Sequence, residues 1–153
     1  MEIWELNEEN FREFGSIIKP DERFCTKVDN FNYYSSDLID TSKGIDTGFL
    51  EVFDKVKAVK KFEKHDIAEE VILPLKGSAL LYLACTGKRS LEQKDIRTFE
   101  IRPGKGVRLK RGVWHAIPAI MSDEVFLCII LKTKTNGEDV NYTELKTGLD
   151  IVL

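Results

Sequence analysis

The feature that most constrains the fold of this chain is a series of short apolar segments with a repeat of two, between residues 49 and 131. Such alternation is typical of strands with one buried face. Turn signals with glycine or proline separate the segments, as in Arg102-Pro103-Gly104. No helical pattern of useful length interrupts the series, which argues against a parallel α/β sheet. We therefore predict an all-β sandwich or barrel.

Near the N-terminus, Asn7 is predicted to cap one or two helical turns that bury Phe11 and Phe14 and end at Gly15. Residues 21–48 are poorly periodic and predict loops and irregular edge strands. Residues 142–145 predict a strand or a helical turn. The other predicted strands cover residues 3–6, 49–56, 58–65, 70–75, 80–85, 98–101, 107–109, 113–117 and 124–131. With 153 residues, the chain is expected to form a single domain over residues 1–153.

The composition of the chain argues against several classes of binding partner. The net charge is −3 with both signs interspersed, which argues against nucleic acid because a phosphate backbone requires a clustered basic face. No window of the sequence is apolar enough for a membrane span, and the start lacks the features of a signal peptide. Three widely spaced cysteines predict free thiols in a reducing compartment. We expect a cytoplasmic protein that acts on a small molecule.

Both histidines of the chain lie beside carboxylates and glycine turns. The first motif has the spacing H-x4-E-x6-G and comprises His65, Glu70 and Gly77. The second has the spacing G-x5-K-x-G-x2-H and ends at His115. Imidazole and carboxylate groups in this pattern favour a metal site or an acid/base pocket.

Strand geometry brings these groups together. Glu63 and His65 are two residues apart on one predicted strand and therefore point to the same face. A turn over residues 66–69 would return Glu70 beside His65. We predict that His65, Glu70 and His115 hold a divalent metal, and such nitrogen and oxygen ligands suit Mn, Fe, Ni or Zn. Glu63 is a further candidate ligand or catalytic group, the alternative being a solvated charge at a strand end.

Three residues of the second motif are candidates for the substrate pocket. Lys110 would bind a carboxylate at the barrel mouth or act as a base with a lowered pKa, unless it is an ordinary loop lysine. Arg108 shares its parity and would complete an anion clamp. Trp114 is either a core residue or a wall on which the substrate stacks.

The two motifs resemble the paired motifs of the cupins. That resemblance implies a double-stranded β-helix, or jelly-roll barrel, here with a short N-terminal helix. Within the cupins, Glu63-Lys64-His65 and the segment 70–75 resemble Glu-Arg-His and Gln-Ala-Phe-Ile-Pro-Leu of the ureidoglycolate lyases. Residues 106–115 are similar to that family's Gly-Val-x-Tyr-His-Arg-Gly-Thr-Trp-His, and residues 10–18 to its N-terminal Phe-x-x-Phe-Gly-x-Val-Ile.

The resemblance implies a homodimer that splits ureidoglycolate into glyoxylate and urea in allantoin and purine nitrogen catabolism, with nickel as the associated metal. It implies roles for Glu63, His65, Arg111, Trp114 and His115. The chain departs from the family at Glu70, Lys110 and Ala116, where the family has Gln, His and a second His. These departures fall in the predicted pocket.

The leading hypothesis is a carbon–nitrogen lyase in which the metal chelates the carboxylate and hydroxyl of the substrate. Lys110, Glu63 or Glu70 would transfer protons, while Arg108 or Arg111 would hold the carboxylate. His115→Ala is expected to abolish glyoxylate release and to leave melting largely intact. Two alternatives keep the fold: another metal-dependent cupin acting on a hydroxy acid or sugar acid, or a barrel that only binds a ligand.

Overall fold

The computed structural model describes residues 2–19, 25–28, 31–34, 44–52, 58–86, 90–133 and 138–150. Almost all regular structure in these ranges is β. The strands are β1 (Ile3–Trp4), β2 (Gly15–Ile18), β3 (Cys25–Val28), β4 (Phe31–Tyr34), β5 (Asp46–Val52), β6 (Ala58–Lys64), β7 (Glu70–Lys76), β8 (Ala79–Ala84), β9 (Arg97–Ile101), β10 (Gly106–Leu109), β11 (Trp114–His115), β12 (Ala119–Ile120), β13 (Val125–Leu131) and β14 (Asn141–Asp150). The helices are α1 (Glu8–Phe11) and a 3₁₀ turn (Gln93–Asp95).

Two sheets form the body of the fold. The first has the strand order β1-β9-β8-β11-β6-β14, with β12 also paired to β8. The second has the order β2-β10-β7-β13-β5, and β3 and β4 pair as a separate hairpin. Because consecutive strands β6 and β7 lie in different sheets, the chain between them crosses from one layer to the other. This alternation between sheets is the jelly-roll arrangement that the motifs predicted.

The main core lies between the two sheets. Leu81 and Leu83 of β8 meet Leu127 of β13 and Leu109 of β10 there, all almost fully buried. Side chains of one strand alternate between its two faces. The intervening residues of β8 therefore lie on the other face of the first sheet, in a second apolar cluster that includes Leu80, Tyr82, Ala84, Trp114 and Leu145.

The N-terminal helix closes one end of the main core. Asn7 caps it, since its side chain accepts a hydrogen bond from the backbone of Asn10 at 2.9 Å. Phe11 and Phe14 are buried and pack edge-on against Phe99 of β9. At Gly15 a side chain is impossible, because a Cβ atom would lie 1.6 Å from the carbonyl oxygen of Arg108. The close pairing of β2 with β10 therefore requires glycine at this position.

Most predicted strands agree with the observed ones to within a few residues, but β2 and β12 were not predicted. The predicted capped helix is confirmed, although it ends at Phe11 and Gly15 already belongs to β2. The ambiguous segment 142–145 belongs to a strand, β14. The strand predicted over residues 49–56 begins earlier, at Asp46, and its predicted end lies outside the described residues. Among the described residues, no helix has the length and apolar character needed to cross a membrane. Cys85 and Cys128 are free thiols, as expected.

Candidate active site

Four side chains from three strands and one connection converge at the end of the sandwich where the chain passes from β6 to β7. Glu63 lies on β6 and His115 on β11, and the two residues are directly paired across the first sheet. Glu70 begins β7 in the second sheet, and His65 follows β6. The two imidazole rings lie 5.5 Å apart between centroids. The far-separated histidines therefore meet, as the motif spacing predicted.

A backbone hydrogen bond ties the two sequence motifs together. The amide of Gly112 donates to the carbonyl of His65 at 2.7 Å. Gly112 has a φ of +76°, a left-handed conformation that a residue with a side chain adopts at a cost. The turn before β11 can therefore approach the turn after β6, which places His115 beside His65.

The ligand atoms of this cluster are close to one another. The Nε2 atom of His115 lies 2.8 Å from Oε2 of Glu70 and 3.6 Å from Oε1 of Glu63. The Nε2 atom of His65 lies 3.4 Å from the same Glu70 oxygen. His65, Glu70 and His115 are buried, and Glu63 is partly exposed.

Backbone carbonyls orient both imidazole rings. The Nδ1 atom of His65 contacts the carbonyl oxygen of Asp139 at 2.5 Å, and that of His115 contacts the carbonyl oxygen of Val113 at 3.2 Å. Because a carbonyl only accepts, each Nδ1 must carry the hydrogen. In the neutral ring the lone pair is then on Nε2, the nitrogen that faces Glu70. This is the arrangement in which imidazoles bind metals.

The cluster fits a cation. Within the described part of the chain, Oε2 of Glu70 and Nε2 of His115 are buried without a directed hydrogen bond, although they are 2.8 Å apart. Two facing lone pairs at this distance would repel each other unless a proton or a metal ion lay between them. Glu63, His65 and His115 each offer a ligand atom within 4.8 Å of the others, so this group could hold a metal ion.

The electrostatics agree with this description. Burial acts to raise the pKa of Glu70, but His115 and His65 outweigh it and lower the pKa to about 2. Burial acts to lower the pKa of His115, but Glu70 and Glu63 raise it to about 10. The pKa of Glu63 is lowered, chiefly by its contact with His115. Without a metal, the cluster therefore consists of carboxylates around an imidazolium.

Asp139 is a residue that sequence reasoning missed. Its buried carboxylate accepts hydrogen bonds from the backbone amides of Asp66, Ile67 and Ala68 at 2.8–3.1 Å. Burial acts to raise the pKa of Asp139, and these three amides overcome that effect and lower it. Its own carbonyl holds His65. No signal in the sequence links two positions 74 residues apart, and only the fold brings Asp139 under the turn.

A cavity of about 300 Å³ opens beside the cluster. Its lining comprises Leu50, Glu63, His65, Glu70, Ile72, His115, Ala116, Ile117, Pro118, Ile129, Leu131 and Val140. The four polar groups are thus set in an otherwise apolar wall, which is typical of small-molecule sites. No lysine or arginine is among these described lining residues.

Contrary to the prediction, the candidate cations Lys110, Arg108 and Arg111 do not line this cavity. Lys110 is exposed, and its ammonium donates to the carbonyl of Arg12 at 2.6 Å. Arg108 points away because Val107 and Leu109, its neighbours on β10, face the core. Arg108 and the exposed Arg111 instead lie near Glu69, whose pKa is lowered first by its hydrogen bond with Lys132 and more weakly by the two arginines.

Trp114 also lies outside the cavity. It is next to His115 on β11, so its side chain points to the opposite face of the first sheet. There it is buried in the second apolar cluster, with the ammonium of Lys64 5.2 Å from its ring centroid. Of the two interpretations of Trp114, the structure supports the core residue rather than the stacking wall.

Known structures share this fold. A sugar 3,4-ketoisomerase from Thermoanaerobacterium thermosaccharolyticum, solved with TDP, aligns over 82% of this chain and 85% of its own, with a TM-score of 0.56 and 14% identity. An oxalate oxidase aligns over 64% of this chain and 45% of its own, with a TM-score of 0.50 and 15% identity. At such identities the likeness concerns the fold alone, and it supports the cupin-type β-sandwich.

Relatives found by sequence similarity indicate a particular family, in addition to the fold. Ureidoglycolate lyase 2 of Rhizobium meliloti is 26% identical over 121 residues, which cover 73% of each chain. A ureidoglycolate lyase of Chelativorans sp. is 24% identical over 147 residues, covering 91% of this chain and 87% of the relative. The family model described as ureidoglycolate lyase matches residues 1–152. The resemblance inferred from the motifs is confirmed, and this chain belongs to the ureidoglycolate lyase family.

Proposed function

We propose that this protein cleaves the carbon–nitrogen bond of ureidoglycolate, yielding glyoxylate and urea. The observation that carries the proposal is the convergence of two imidazoles and two carboxylates on one cavity, in a chain that matches the family over residues 1–152. The open cavity of about 300 Å³ also argues against a collapsed, vestigial barrel.

We propose that His65, Glu70 and His115 hold a divalent metal, nickel by family resemblance or else Mn, Fe or Zn. Two Nε2 lone pairs and a carboxylate oxygen without a directed hydrogen bond support this assignment. When bound, the metal would supply a Lewis acid that lowers the pKa of the substrate hydroxyl. His65 and His115 would be neutral in that state, since a ligating imidazole must give up its Nε2 proton.

In this proposal the proton transfer is carried out by Glu63. Cleavage converts the hydroxyl-bearing carbon of ureidoglycolate into the aldehyde carbon of glyoxylate, while the C–N bond breaks. The hydroxyl proton must leave oxygen, and one proton must reach the departing nitrogen of urea. Glu63 lies at the cavity wall and is partly exposed, and carboxyl groups of this kind are ionised at neutral pH. One carboxylate at the cavity wall can accept the first proton and then deliver it to nitrogen. Lys110, on the carbonyl of Arg12, is not placed for this role.

The apolar wall has its own function in the proposal. Leu50, Ile72 and Ile129 line the cavity beside the polar cluster. Apolar surroundings strengthen electrostatic interactions within the site and exclude water from the reacting carbon.

The test combines an assay with a matched pair of variants. Metal content of the purified protein is measured by elemental analysis, and glyoxylate release from ureidoglycolate is followed with time. Glu63→Gln is expected to lower kcat by about 10²-fold or more, since it removes the acid/base group. Glu69→Gln, a carboxylate outside the cavity that pairs with Lys132, serves as the control. Wild-type protein that carries a metal but releases no glyoxylate would refute the proposal.

The oligomeric state and the cellular location of the protein are also proposals. We propose a homodimer, as the family resemblance implies, and a cytoplasmic location, which the free thiols Cys85 and Cys128 support. Oxygen uptake with a hydroxy acid instead of C–N cleavage would favour the alternative of another metal-dependent cupin.

A further inference from the structure

A second cavity, of about 340 Å³, adjoins the first. The two share the lining residues Glu63, Ala116, Ile117 and Pro118. The second cavity adds three polar side chains, those of Lys60, Lys61 and Tyr142. Since Glu63 belongs to both, it stands at the boundary between a compartment with the histidines and a compartment with the lysines.

Strand register places Tyr142 and Lys61 on the face of the sheet that carries Glu63. Tyr142 of β14 is paired directly with Glu63, and His115 is paired with Glu63 from the other side. Directly paired residues share a face, with Cβ atoms about 5 Å apart. Lys61 is two residues from Glu63 on β6, which also gives the same face at a distance of about 7 Å along the strand.

The ring of Tyr142 holds the Lys61 side chain in place. The ammonium lies 3.9 Å from the ring centroid, a favourable cation–π distance. Within the described ranges, no carboxylate oxygen lies within ion-pair distance of this ammonium. Glu144 of β14 is paired directly with Lys61, but its carboxylate lies beyond ion-pair distance of the ammonium. Lys61 is exposed to solvent and lines the second cavity, whose described lining includes one carboxylate, that of Glu63.

Charge complementarity indicates what Lys61 binds. Glu63 and Glu70 line the first cavity and repel the carboxylate of a substrate that binds there. Among the described lining residues of both cavities, the only lysines or arginines are Lys60 and Lys61. The arginines expected to form the anion clamp, Arg108 and Arg111, lie near Glu69, which is not among the lining residues.

We propose that Lys61, oriented by Tyr142, binds the carboxylate of the substrate at the boundary of the two compartments and so selects small 2-hydroxy acids over their neutral analogues. The identity of that acid as ureidoglycolate rests on the proposed function. The recognition of a carboxylate does not, since it follows from the cavity, the register and the cation.

Equilibrium binding of glycolate and its neutral isostere glycolamide, followed by NMR titration, tests the proposal without turnover. Lys61→Met is expected to raise the Kd of glycolate by about ten-fold or more and to leave that of glycolamide unchanged, because only the charge-assisted contact is lost. Lys60→Met, which removes the same charge from the same cavity, should change the glycolate Kd by less than about two-fold. Tyr142→Phe retains the ring and should retain binding, whereas Tyr142→Leu should weaken it.

The outcomes separate this proposal from the proposed function. An unchanged glycolate Kd in Lys61→Met, equal weakening of both ligands, equal losses in Lys60→Met and Lys61→Met, or no glycolate binding by the wild type would each overturn the role of Lys61. Wild-type protein that shows the Lys61 effect but does not cleave ureidoglycolate would support the carboxylate site and refute the lyase. With an active lyase, the KM for ureidoglycolate should rise in Lys61→Met more than kcat falls.

Discussion

Replacing His115 by alanine is expected to destabilise the metal-free protein substantially, in contrast to the unchanged melting that sequence reasoning predicted. The structure shows why. Glu70 is buried, and its pKa is lowered to about 2 mainly by the opposing charge of His115. His115→Ala removes that charge and leaves a carboxylate in an apolar wall with only His65, at 3.4 Å, as a partner.

The expected loss in the free energy of unfolding follows from the two protonation states that Glu70 can adopt in the variant. If it stays ionised, the loss of one partner of a buried ion pair costs about 3–5 kcal/mol. If it becomes protonated, a carboxyl with the ordinary pKa of 4.5 costs about 3.4 kcal/mol at pH 7, since each pH unit is worth about 1.4 kcal/mol. The protein adopts the less costly state, so we expect a loss of about 3 kcal/mol. For a chain of this length that lowers Tm by roughly 6–12 °C.

Urea unfolding in the presence of a chelator measures this loss. The sign of its pH dependence is a second check. A protonated Glu70 in the folded variant and an ionised one in the unfolded chain mean that the folded state binds more protons. The stability of the variant should therefore rise relative to the wild type as the pH falls from 6.5 toward 4.5.

The double variant His115→Ala/Glu70→Gln provides the control. Glutamine carries no charge, so removing both partners should recover most of the lost stability. A single variant within about 0.5 kcal/mol of the wild type at pH 7, or a double variant no more stable than His115→Ala, would refute the reasoning.

Three further predictions concern other described residues. Tyr82→Phe should stabilise the protein by about 1 kcal/mol in urea unfolding, because the buried Tyr82 hydroxyl has no hydrogen-bond partner among the described residues. Burial raises the Tyr82 pKa from 10.0 to about 12, so the wild type, unlike this variant, should lose stability as the pH rises from about 10 to 12. Asp139→Asn should weaken Zn²⁺ or Ni²⁺ binding in a metal titration by about ten-fold, through the loosened His65, whereas the exposed neighbouring change Glu138→Gln should leave affinity unchanged. Lys110→Met should keep kcat for glyoxylate release within about two-fold, and a larger loss would return Lys110 to the site.

The period-two segments predicted most strands between residues 46 and 131, because alternation reports which face of a strand is buried, but they predicted neither β2 nor β12. The same local rule predicted that Glu63, His65 and Glu70 would be neighbours, since a short turn joins them. It also contained an unused signal: Val107 and Leu109 are apolar, so Arg108 between them had to point away from the core. The face to which a strand residue points can therefore be read from the sequence when the apolar residues on either side of it are considered.

By itself, the sequence determined the all-β class, the family and the three groups around the turn between β6 and β7. Only the tertiary structure decided that His115 is paired directly with Glu63, that Asp139 supports His65, and that Lys60 and Lys61 rather than Arg111 line the adjoining cavity. The physical reason is the distance along the chain over which each kind of interaction acts. Alternation and turns act over a few residues, whereas the pairing of β11 with β6 and of β6 with β14 depends on how two whole sheets pack to bury their cores.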